Sequence, residues 1–240
     1  MNRGNFCLGA LTALLCGCLL APAAQAAQPG PAGQELGLAV AAVTAPASAQ
    51  QWQTLLVNPW NPVPQDWKGE LVKLDNGMQV DERMYDALNT MLDDCRAAGL
   101  DVRVCSAYRT QATQTRLHNN KIARLRAAGY SAEKAREEAA RWVAAPGTSE
   151  HQTGLAVDLV SGAYQILDEK QADTPEQQWL MAHCWEYGFI LRYPTEKSSL
   201  TGIGYEPWHY RYVGPDVAKV LERSGLCLEE YVSLRNALAK

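Results

Sequence analysis

The chain has 240 residues, 22 Lys and Arg against 26 Asp and Glu for a net charge of −4, and 47% hydrophobic residues. That balance provides no basic footprint for a nucleic-acid partner. It leaves enough apolar material for a sizeable core in one domain.

Residues 1–26 read as an export signal: Arg3 supplies the positive end, residues 6–20 the apolar run, and Ala24-Gln25-Ala26 a small-residue cleavage site. The run is short for a spanning helix. The membrane therefore enters only through the signal, or through a lipid anchor at Cys18, where Leu15-Cys16-Gly17-Cys18 is similar to a lipobox. Either route puts the remainder outside the cytoplasm, secreted or associated with the envelope. Residues 27–52, rich in Ala, Pro, Gly and Gln, read as a flexible spacer, and residues 53–240 as the folded domain.

Within that domain, Met84, Leu88, Met91, Leu92 and Cys95 give residues 81–98 a helical period, with Asp81 as cap and Gly99 as stop. Val102 and Val104 mark a short strand leading into Ser106. Residues 111–145 read as two helices broken at Gly129, the second capped by Ser131, with their charges on a solvated face. Pro146-Gly147 ends the helical segment and turns the chain toward a strand through Leu155, Ala156 and Val157, with Asp158 at its rim. Residues 174–188 predict another helix ending in glycine, 187–193 a strand, and 215–224 a further helix. This irregular interleaving predicts an α+β fold: a small antiparallel sheet with helices packed on it. His118, in a polar helix, and His183, beside Cys184, read as structural.

Removal of the leader leaves Cys95, Cys105, Cys184 and Cys227. An even count in an exported chain predicts disulfides. A helix reversing into a strand would bring Cys95 alongside Cys105, leaving Cys184 with Cys227.

One stretch, Ser149-Glu150-His151-Gln152-Thr153-Gly154-Leu155-Ala156-Val157-Asp158, supplies a histidine and a carboxylate to a common site; Glu206-Pro207-Trp208-His209 adds a second histidine. Two imidazoles and a carboxylate are a usual catalytic ligand set for zinc, one position being left for water. On an unbroken strand His151 and Asp158, seven residues apart, would face opposite ways, so a turn or bulge is required, most easily at Gly154. Pro207 forces Glu206 out of helical backbone, which excludes an H-E-x-x-H helix. Glu206, near a ligand but not needed as one, is placed to take a proton from the attacking water.

S-x-H-x-x-G-x-A-x-D followed by E-x-W-H resembles the signature of the zinc D-alanyl-D-alanine carboxypeptidases and dipeptidases of the vancomycin-resistance type, in the group shared with lysostaphin-like peptidases and hedgehog domains. Ser106-Ala107-Tyr108-Arg109-Thr110, with Gln114 beyond, is similar to that family's S-x-Y-R segment. Residues 56–64, Leu-Val-Asn-Pro-Trp-Asn-Pro-Val-Pro, are similar to the opening segment of its carboxypeptidase branch. The resemblance implies a single zinc ion on His151, Asp158 and His209, held in a cleft on the sheet. Glu206 would be general base, and Arg109 an anchor for the terminal carboxylate or an oxyanion donor. Ser106, Tyr108, Gln114, Ser149 and Trp208 would lie near the substrate, a peptidoglycan stem peptide or precursor ending in D-Ala-D-Ala, and the protein would act as a monomer. A D,D-dipeptidase, an endopeptidase on cross-linked wall, and a zinc-stabilised binding module without catalysis remain as rivals.

Overall fold

A computed structural model describes residues 52–239; the expected leader, Cys18 and nearly all of the spacer lie outside the described residues. Four strands form an antiparallel sheet in the order β3-β4-β6-β5, from β3 (Val102–Ser106), β4 (Ala156–Ser161), β5 (Phe189–Leu191) and β6 (His209–Tyr212). A separate hairpin joins β1 (Leu71–Lys73) to β2 (Gln79–Asp81).

Helix α1 (Glu82–Ala97) begins where the Asp81 carboxylate accepts from the Arg83 backbone N–H at 3.0 Å, satisfying one of the unpaired donors of a helix start. Its five periodic residues, Met84, Leu88, Met91, Leu92 and Cys95, are all buried, as their spacing predicts. They meet Val157 and Leu159 of β4, Phe189 of β5, and Tyr210 and Tyr212 of β6, with Leu180 of α4 (Pro175–His183), in the main core. Helices α2 (Gln111–Ala127) and α3 (Ala132–Ala140) form an arm, Ser131 capping the second by accepting from Lys134 N–H at 3.1 Å. Short α5 (Ser198–Thr201) precedes β6. Helices α6 (Pro215–Ser224) and α7 (Leu228–Leu238) close a second cluster, in which Val217, Leu221, Leu228 and Tyr231 pack around Ile190.

Alternation along each strand divides the sheet into two faces. Val157, Leu159, Tyr210 and Tyr212 point to the main core, so Asp158, His209 and Arg211 point the other way. Register completes the pattern: Asp158 lies opposite His209, and Ala156 opposite Arg211. On the far side of β4 the pairing shifts between Val104 and Ser106, placing Val104 opposite Leu159 and Ser106 opposite Asp158. The bulge at Cys105 therefore turns Ser106 onto the face of Asp158, and Arg109 with the loop that follows.

Three sequence expectations need correction. Asp158 lies within β4 rather than at its rim, because Leu159, Val160 and Ser161 continue the pairing with β3. Pro146-Gly147 leads into a 3-10 turn, Glu150–Thr153, before the strand begins. No disulfide joins the four cysteines, all of which are free thiols. Cys95 points into the core beneath α1, whereas the thiol of Cys105, raised to about 12 by burial and the nearby Asp158 carboxylate, belongs to the opposite side of the sheet. Cys184 and Cys227 line one cavity of about 220 Å³ without bonding.

Candidate metal centre and catalytic cleft

His151 is carried by the 3-10 turn, which Gly154 ends in left-handed backbone at φ +79°. A Cβ there would stand 3.0 Å from the backbone nitrogen of Asp81, which donates to the Gly154 carbonyl at 2.9 Å. Positive φ and close backbone approach together require glycine. This turn brings His151 back over the sheet, to the face where Asp158 and His209 already lie side by side. His209 is delivered by a turn in which its N–H donates to the Glu206 carbonyl at 3.1 Å, so Glu206 arrives at the same place.

One ligand atom from each of His151, Asp158 and His209 lies within 4.8 Å of the other two, and all three residues are buried. His151 Nε2 is 3.2 Å from Asp158 Oδ2, and His209 Nδ1 is 3.0 Å from Asp158 Oδ1. Two ligands about 2.0–2.1 Å from a tetrahedral centre stand ~3.3 Å apart, so these spacings fit zinc. The tautomer of His151 fits as well: its Nδ1 donates to the Ala107 carbonyl at 2.8 Å, leaving the Nε2 lone pair for a metal.

The charges around this trio are arranged unequally. Burial, then the Arg109 guanidinium, lower the His151 imidazole to about 4. Burial acts the same way on His209, but the neighbouring Asp158 and Glu150 carboxylates outweigh it and raise the ring to about 9. Asp158 is held well below the carboxylate range, burial being overcome by His151, His209 and Arg109. Glu206, 3.8 Å from His209 Nδ1, is pushed up to about 8, chiefly by burial.

Arg109 donates from Nη2 to Asp158 Oδ2 at 2.6 Å and from Nε to Ser106 Oγ at 2.9 Å. Gln114 faces Arg109 Nη1 at 3.5 Å and donates to the Ala144 carbonyl at 2.7 Å. Ser106 and Gln114 thus orient the guanidinium. The trio, Arg109 and Glu206 share a cleft of about 520 Å³, which Ser149 and Trp208 also line. Tyr108 is half-buried and stands apart from that lining, its N–H bonded to the Gln79 carbonyl of β2.

With this geometry in view, likeness to known proteins becomes informative. Residues 77–215 match the D-alanyl-D-alanine carboxypeptidase family VanY. The chain belongs to this family. A D-alanyl-D-alanine carboxypeptidase of Enterococcus faecalis is 43% identical over 185 residues, covering 77% of this chain and 67% of that relative. Among solved structures, VanYB in complex with D-Alanine-D-Alanine superimposes with a TM-score of 0.71 at 42% identity, covering 76% of this chain and 98% of that one. The vancomycin-resistance D,D-pentapeptidase VanY, solved as a mutant in complex with Zn(II), gives 0.70 at 41% identity over 75% and 99%.

Several residues of this VanY-family site escaped the sequence reading. Lys121 and Arg124 of the arm, expected on a solvated face, line the cleft with Leu117 and Trp142. Lys121 Nζ lies 5.8 Å from the Trp142 ring. Tyr193, buried and tilted over the His209 ring with centroids 4.7 Å apart, lines it too. Glu150, next to a ligand, is 1% exposed and paired with two buried arginines, Arg192 and Arg211. Charged residues inside the apolar runs Phe-Ile-Leu-Arg-Tyr and His-Tyr-Arg-Tyr-Val were the available signal.

Proposed function

We propose that this cleft hydrolyses the last peptide bond of peptidoglycan stem peptides or precursors ending in D-Ala-D-Ala, releasing D-alanine. The observation that carries the reading is the convergence of three metal ligands, a buried carboxylate with a raised pKa and an arginine on one wall of one cleft. His151, Asp158 and His209 would hold the zinc, which would supply Lewis acidity for the scissile carbonyl and the attacking water.

Glu206 takes the proton of that water and returns it to the leaving amine. Its burial keeps it a strong enough base for the first transfer and a ready acid for the second. Arg109 stabilises the developing oxyanion, a role supported by its seat against the metal-binding carboxylate rather than farther along the cleft. Ser106 and Gln114 hold it there. Ser149 and Trp208 contact the peptide, with Trp142 and Tyr193 lining the same cleft. The leader composition of residues 1–26 supports action outside the cytoplasm, where such peptides are exposed.

The test is release of the terminal residue, D-alanine from a pentapeptide and from free D-Ala-D-Ala and D-alaninamide from a pentapeptide amidated at its C-terminus, with and without a chelator. Zinc-dependent release from the pentapeptide in preference to the dipeptide is expected. Exclusive cleavage of the dipeptide would make it a dipeptidase, and no release from any substrate by zinc-loaded protein would leave a binding module. Comparable rates on free and amidated termini support the oxyanion role of Arg109; selective failure on the amide would reassign it as an anchor.

A further inference from the structure

We propose that Glu150 is a positioning residue of the metal site, accepting the Nε2–H of His209 so that Nδ1 is turned toward the metal; this rests on His209 being a ligand. Two buried side-chain atoms here lack a hydrogen-bond partner, Glu150 Oε2 and His209 Nε2, and they face each other at 3.5 Å. With both atoms buried, each is the other's available partner.

A purely structural role, as counter-ion to Arg192 and Arg211, does not account for the geometry. Both guanidiniums converge on the same oxygen: Arg192 Nε and Arg211 Nη1 each donate to Glu150 Oε1 at 2.8 Å. Their remaining nitrogens are spent elsewhere. Arg192 donates twice to Glu229 of α7, at 2.9 and 2.7 Å, and Arg211 donates to the carbonyls of Gln53 and Leu55 at 3.1 and 2.9 Å. Glu229 in turn accepts from Asn58 at 3.0 Å. The carboxylate is thus locked by one oxygen, with the other aimed at the ring. The two imidazoles of the site are then fixed by different acceptors, His151 by the Ala107 carbonyl and His209 by a carboxylate, which makes His209 the more basic donor to a metal.

Glu150→Gln keeps the shape but turns the carboxylate into an amide. In the full chain, it is expected to weaken zinc by about 10–100-fold in a competition titration against a chromophoric chelator. Glu229→Gln loosens the outer end of the same clamp without touching Oε2, and is expected to lower the Tm of zinc-free protein while leaving zinc affinity within about threefold. Folded Glu150→Gln with wild-type zinc affinity, or an equal loss of affinity in both variants, overturns the proposal. Should Glu150→Gln fail to fold, wild type carries the test: histidine side-chain ¹⁵N spectra of the zinc-loaded protein should show His209 bound through Nδ1 and protonated at Nε2. Binding through Nε2 overturns it. A wild type that binds no zinc removes the ligand assignment together with this role, whereas loss of the effect in Glu150→Gln alone removes only the role.

Discussion

The two faces of the four-stranded sheet are built from neighbouring residues, yet they differ in almost everything else. Val157 and Leu159 enter an apolar core under α1 and α4, while Asp158 between them enters a buried field of charge with His209, Arg211 and Glu150. Tyr210 and Tyr212 alternate with His209 and Arg211 in the same way on β6. An apolar face is held by area and tolerates adjustment of any one contact. The charged face is held by pairing, so removal of a single partner leaves another group buried and unsatisfied. Stability should therefore reside mainly on one side of the sheet and chemistry on the other.

The sharpest way to break that division is His209→Ala. It should remove zinc and reduce D-alanine release to background, with zinc content of the purified protein as the readout. Glu206→Gln should come next: zinc retained, but kcat lower by about 10²–10⁴. Near-wild-type turnover with a full zinc complement would move the proton-transfer role to another group. On the opposite face, Leu159→Ala should cost about 2–5 kcal/mol of stability in denaturant titrations. Turnover per folded molecule should stay within a few-fold, and a selective collapse of kcat would show that the faces are not separable.

The smallest effect is a pH dependence of the zinc-free protein. Glu206 and His209 both bind a proton more tightly when folded than when unfolded, with folded values raised to about 8 and about 9. Their contribution is present at low pH and is lost as pH rises through those values. His151, lowered to about 4, works in the opposite sense, but its effect is complete once pH exceeds its unfolded value of about 6.5. Zinc-free Tm should therefore fall between about pH 6.5 and 9, and zinc should flatten the fall. A zinc-free Tm that rises across that interval would contradict the assigned protonation states.

This asymmetry also explains what could be read from the sequence. Helix α1 was legible because its five buried positions repeat at helical spacing and Asp81 caps it. The motif residues His151, Asp158, Glu206, His209 and Arg109 were legible because the order and spacing of their motifs are specific, and the structure brings all five together. Glu150, Arg192 and Arg211 were not. Arg211 alternates with apolar residues on β6 and so reads as solvent-facing, Glu150 and Arg192 lie outside the strands, and the partners that bury all three come from α7 and residues 53–58, distant in the chain. The cleft-facing Lys121 and Arg124 were hidden for the converse reason: α2 has too few buried residues for its inner side to be told from its outer. The hairpin β1-β2, three residues a strand, carries too little pattern to register.

The arginine clamp bears on how such an enzyme can be cut. The family match ends at residue 215, but Arg192 is answered by Glu229 and Arg211 by carbonyls at residues 53 and 55, all beyond its limits. A gene fragment trimmed to residues 77–215 would keep every proposed zinc ligand and Glu150, yet would deprive both buried guanidiniums of their outer partners. Evolutionary modularity and foldable modularity part company here, and transplanting the peptidase onto another protein would require both flanks to travel with it.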